Sequence, residues 1–147
     1  MSKLESSPEN AQLASSGGRA ALAASRTVAR WLLALEARQD IGHFGRLAFV
    51  SIARHFLSSD ELVALLARQP RWDQAKAQKL VERVRQRGYS PPTRPRLLEW
   101  QARQRYPLLD DPADPTLGNL YRELPLPDEV FREIEAFWDG SGEAAAG

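Results

Sequence analysis

Apolar positions along this chain recur at helical spacing and lack the alternation a strand would need. Val28, Leu32 and Leu35, with Trp31 beside them, mark one face of a predicted helix over residues 21–38. Asp40, Ile41 and Gly42 interrupt it. Phe44, Leu47, Ala48, Ile52 and Phe56 form the stripe of a second helix over 43–56. Ser58 and Glu61 then stand at capping-box spacing, ahead of Leu62, Leu65 and Leu66, and Pro70 closes this third helix or begins the next turn. A fourth runs from about Asp73 to Arg87. Asp73 is its cap, Leu80, Val81 and Val84 face inward, and Gly88 is the residue type that ends helices. Tyr89, Ser90, Pro91 and Pro92 make a stiff extended turn. Thr93 caps a fifth helix with Pro95 in its first turn, Leu97, Leu98 and Trp100 on its apolar side, and an end before Pro107. Residues 108–127 hold four prolines and little periodicity, so they read as a draped acidic loop. A last helix over 128–138 turns Val130, Phe131, Ile134 and Phe137 inward.

This pattern predicts an all-α fold: a single compact helical domain of five to six helices over residues 21–139. Residues 1–20 are rich in Ser, Ala, Gly and Asn and predict a disordered N-terminal tail. Residues 140–147 predict a flexible C-terminus. No internal repeat is present. No run of 18 apolar residues predicts a membrane span, and Lys3 is followed by polar residues, unlike a signal peptide. The chain contains no cysteine, which excludes disulfides, thiol nucleophiles and zinc ribbons. A reducing, cytoplasmic setting is expected.

Charge changes the picture more than composition does. The chain's net charge is +1, but residues 39–107 carry 13 Arg and Lys against 6 Asp and Glu. Residues 108–147 carry 2 against 10. A basic helical middle predicts a surface that meets a polyanion. His43, Arg46 and Arg54 share one side of the second helix. His43 and Arg46 stand in its first turn, where free N–H groups and the helix dipole favour phosphate. Lys76, Lys79, Arg83 and Arg87 form a row along the fourth helix, and Arg94 opens the fifth, which adds Arg96 and Arg103. Side-by-side packing of these helices would merge the rows into one basic groove that grips phosphates with little sequence choice. Trp72 and Tyr89, at the two ends of the fourth helix, are candidates for base stacking. Core or edge packing is the competing role for both, and an ion pair with an acidic side chain is the competing role for Arg46.

No catalytic constellation stands out. His43 and His55 are not accompanied by a metalloprotease pattern, and there is no P-loop or dinucleotide glycine motif. Asp110, Asp111 and Asp114 lack the glycine and terminal glutamate of a calcium loop. A non-catalytic protein with no metal and no cofactor is expected.

The order GHFGR at 42–46, IARHF at 52–56, SSDELVALLARQPRWDQAKAQKLVERV from Ser58 and YSPPT at 89–93 resembles a known family. It is similar to the C-terminal domain of the large subunit of archaeal and eukaryotic primases and to related domains of bacterial primase-polymerases. The likeness covers residues 41–93, about a third of the chain, through short motifs. It implies a mostly helical domain that contacts template and primer 5′-phosphates without joining nucleotides. It places His43 and Arg46 on the family's phosphate-contacting histidine and arginine, and Lys76 near a basic family position. Gly42 stands where eukaryotic members often carry a further basic residue. The family usually holds a [4Fe–4S] cluster on cysteines, and this chain has none, so the resemblance implies an iron–sulfur-free version. Leu97, Trp100, Tyr106, Leu108 and Leu109 are then expected to fill the cluster's volume.

The expected function is an accessory nucleic-acid-binding module of a DNA primase or primase-polymerase system. Its expected partners are single-stranded DNA or primer–template and a catalytic primase subunit, with no membrane. The alternatives are a non-sequence-specific DNA-binding protein of a mobile element and a helical protein–protein adaptor.

Overall fold

Ser25 divides the first predicted helix in two. In the computed structural model, which describes residues 17–132, helix α1 over residues 17–23 ends in a turn. Helix α2 (Arg26–Glu36) then starts afresh. Ser25 is extended, with φ −94° and ψ 121°, and fully buried. Its Oγ accepts the Val28 N–H at 3.2 Å and donates to Glu123 Oε1 at 2.6 Å. The break therefore serves a hydroxyl that must reach both a helix start and a distant carboxylate. Residues 17–20, expected as part of the tail, are helical. Residues 1–16 and 133–147 lie outside the described residues, and with them the remaining tail, the C-terminus, Ile134 and Phe137.

The middle of the chain follows its caps. Helix α3 (Gly42–Ala53) stops three residues before the predicted end, and a turn over residues 54–56 carries the chain onward. Ser58 Oγ accepts the Glu61 N–H at 3.2 Å while Glu61 Oε1 accepts the Ser58 N–H at 3.0 Å, opening α4 (Ser59–Leu66). Asp73 Oδ1 accepts the Lys76 N–H at 2.9 Å and opens α5 (Gln74–Arg87). Gly88 closes it at φ 62° and ψ 38°, a left-handed conformation that glycine adopts without a Cβ penalty. Thr93 caps α6 (Arg94–Gln101), with Pro95 in the first turn. The acidic stretch contains a single turn of helix, α7 (Leu120–Glu123), and residues 128–132 form α8. The described residues thus hold eight helical segments rather than five or six, and no strand.

One buried cluster runs from Leu22 in α1 to Val130 in α8. Helix α5 lays Ala77, Leu80, Val81 and Val84 across α4 and α3, the most extensive helix contacts in the fold. Fully burying one such leucine or valine contributes about 1.5–3 kcal/mol. Trp31, Phe49, Ile52, Leu62 and Leu66 fill the centre. The irregular stretch after α6 joins the core through Tyr106, Leu108 and Leu109. Trp31 Nε1 and Arg30 Nη1 both donate to the Leu108 carbonyl, at 2.9 and 3.1 Å. The Arg30 guanidinium lies 4.8 Å above the Tyr106 ring. No helix of the described residues is long and apolar enough to cross a membrane.

Candidate nucleic-acid interface

The start of α3 decides how much of the expected phosphate clamp is open. Gly42 adopts φ +80°, and a Cβ there would collide with the Gln104 side-chain amide. The Gly42 N–H donates to Asp40 Oδ1 at 2.8 Å, and the Phe44 N–H donates to Gln104 Oε1 at 2.9 Å. Just ahead, the Ile41 N–H donates to Gln69 Oε1 at 3.1 Å. Side chains of this chain therefore already take most of the amides that a phosphate would use.

Arg46 is drawn into the same arrangement. Its Nη1 donates to Asp40 Oδ1 at 3.1 Å and to Gln69 Oε1 at 3.2 Å. Its guanidinium stacks 4.6 Å from the centre of the Trp72 ring. The side chain is only 13% exposed, and its Nε is buried without a hydrogen-bond partner among the described residues. Burial lowers the Arg46 pKa, and Asp40 opposes that shift. Arg46 and Trp72 thus satisfy each other and the loop before α3. Asp40 and Gln69 share one guanidinium nitrogen, Nη1, and Trp72 lies under the group.

Two further arginines have similar duties. Arg54 sits at the end of α3, and its Nη2 donates to the Tyr89 carbonyl at 3.2 Å. Arg94 spreads its fork over the acidic stretch: Nε to Leu117 O at 2.8 Å, Nη2 to Pro112 O at 2.7 Å and to Asp114 O at 3.1 Å. Guanidinium geometry suits such multiple carbonyl contacts. Sequence spacing cannot reveal them, because every residue carries a carbonyl.

What remains exposed is the row on α5. Lys76, Lys79, Arg83 and Arg87 all lie on its solvent side. Lys76 Nζ donates to the Arg71 carbonyl at 3.0 Å and Arg87 Nη1 to the Tyr89 hydroxyl at 3.2 Å. No ion pair engages any of the four among the described residues. His43 is exposed in the first turn of α3. Burial first, then the positive charges of Arg46 and Arg83, lower the His43 pKa. Arg94 instead serves the acidic stretch.

Aromatic residues continue this surface. The His43 ring meets Phe44 edge-on at 5.0 Å, Phe44 stacks on Trp100 at 5.3 Å, and Arg103 caps the Phe44 ring at 5.1 Å. Sequence spacing missed the Phe44–Trp100 pair, since the two rings come from helices far apart in the chain. Tyr89, half-buried, accepts from Arg54 through its carbonyl and from Arg87 through its hydroxyl.

The turn over residues 89–93 is followed by apolar core, in which Leu97, Tyr106, Leu108 and Leu109 are buried and Trp100 is half-buried. With no cysteine in the chain, these residues do not fit an iron–sulfur cluster. Among the described residues no three His, Asp or Glu gather as a metal-binding group. No family model, curated protein or solved structure matches the chain.

Proposed function

We propose that the protein is a nucleic-acid-binding module that grips the phosphate backbone through the open row on α5 and His43. The observation that carries this reading is the exposure of Lys76, Lys79, Arg83 and Arg87 along one face of α5, with no ion pair among the described residues. Four cations on a single helix face follow a backbone and specify no base. Recognition of a primer 5′ end, which the primase resemblance implies, is the narrower form of the same reading, with His43 as the residue nearest the end phosphate.

Binding to duplex, single-stranded and 5′-triphosphorylated recessed-end DNA, titrated against salt, tests both forms. Backbone binding predicts a linear fall of log affinity with log salt, shortened by about 0.7–0.9 for each cation removed from α5. End recognition predicts a preference for the triphosphorylated end that His43→Ala abolishes. Equal affinity for all ends leaves backbone binding alone. No binding at low salt rejects the function.

A further inference from the structure

The basic row ends at an aromatic groove that the charge pattern did not mark. Leu47 and Ser51 of α3 contribute to it, Tyr89 and the 90–93 turn border it, and Trp100, Tyr121 and Phe131 complete it. Its volume is about 770 Å³, within the range of sites that take small organic groups. Phe131 is 36% exposed.

Both borders lead back to the cations. Arg87, in the α5 row, donates to the Tyr89 hydroxyl. Trp100 stacks on Phe44, whose ring meets His43 edge-on and is capped by Arg103 at 5.1 Å. Arg96 stands at the groove with its guanidinium 6.0 Å from the Trp100 ring. A backbone lying along α5 would bring its bases to the groove mouth.

We infer that this groove takes an unpaired nucleobase, stacked among Tyr89, Trp100 and Phe131, from a strand whose phosphates lie on α5 and at Arg96. The inference rests on the proposed backbone grip and adds its substrate class: single-stranded rather than duplex nucleic acid. Every base offers a π-face, so the groove selects for strandedness and not for sequence. A paired base is held in its stack and does not reach it.

Fluorescence anisotropy of the full chain with an oligothymidylate, a duplex of equal length and an oligomer of abasic residues tests this. The unmodified protein should bind the oligothymidylate more tightly than the abasic strand, by about five- to a hundredfold for one stacked base. Phe131→Ala should erase that difference and leave duplex affinity unchanged. The abasic comparison needs no variant, so it decides the matter even where a substitution harms folding. Equal affinity for thymidylate and abasic strands overturns the groove, and a loss on both with Lys79→Ala then shows that backbone binding survives. Duplex bound as tightly as single strand also overturns it. Absence of binding to all three removes the backbone reading and the groove with it.

Discussion

Gln104 Oε1 accepts the N–H of Phe44, so the first turn of α3 is closed by a side chain sixty residues away. The same amide donates through Nε2 to the carbonyls of Ile41 and Tyr106, both at 2.9 Å. Gln69 does the equivalent from the other side, donating to the Gln39 carbonyl at 2.7 Å while accepting from Ile41 and Arg46. Two glutamines thus bind the loop before α3 to the rest of the fold.

Gln104→Ala should lower unfolding free energy by about 1–3 kcal/mol, because it strands a half-buried N–H and two carbonyls. Urea denaturation measures the loss. Affinity for nucleic acid should stay as it was.

Arg46 and Lys79 should separate cleanly. Arg46→Lys should destabilise the fold by about 1–3 kcal/mol, since an ammonium cannot both reach Asp40 and Gln69 and stack flat on Trp72. Lys79→Arg should change neither stability nor affinity, and Lys79→Ala should weaken binding with an unaltered melting temperature. Thermal melts beside salt-dependent binding curves check the pair. A weakened affinity with full stability in Arg46→Lys would return Arg46 to the binding surface.

Ser25→Ala removes the acceptor for the Val28 N–H and the donor to Glu123. The expected cost is about 1–2 kcal/mol. Ser25→Thr should recover part of it, since the hydroxyl is kept.

Acidification should act on stability and binding with opposite signs. His43 and His55 both have pKa values below their ordinary 6.5, each chiefly through burial, with Arg46 and Arg83 adding to the first and Arg54 to the second. The unfolded chain therefore takes up protons first. Stability is complete above 6.5 and declines as pH falls through the lowered values. A phosphate beside His43 favours the imidazolium, so affinity should rise over the same interval. His43→Gln should flatten the affinity profile, and the double substitution with His55→Gln should flatten the stability profile between pH 7.5 and 5.

The helix ends were the most legible part of this molecule. Ser58, Asp73, Gly88 and Thr93 each act on neighbours three or four residues away, and that information is local. Ser25 was not legible as a break because half its reason for being extended is Glu123, 98 positions on. The arginines divided for the same cause. Helical spacing identified the row on α5 as one face, but it also gathered Arg46, Arg54 and Arg94, whose partners are glutamine, indole and carbonyl groups from remote segments. Position alone makes Trp72 and Tyr89 candidates for stacking. Arg46 covers the first, and the second borders a groove whose other walls come from four separate stretches.

The stretch between α6 and α7 is fastened largely by bonds to its own main chain. Arg30, Trp31 and Arg94 donate to carbonyls between Pro107 and Leu117, and Gln101 accepts the Leu109 N–H at 2.8 Å. Carbonyls and amides survive nearly any amino-acid replacement. Between Pro107 and Gly118 the exceptions are the buried Leu108, Leu109 and Leu117, the left-handed Gly118, and the carboxylates of Asp110, Asp111 and Asp114, which accept bonds of their own; the other outward side chains are free to drift through mutation while their path stays put. A library randomised at the exposed Ala113 and Pro115 should return mostly folded clones, making this the natural place to graft a reporter peptide.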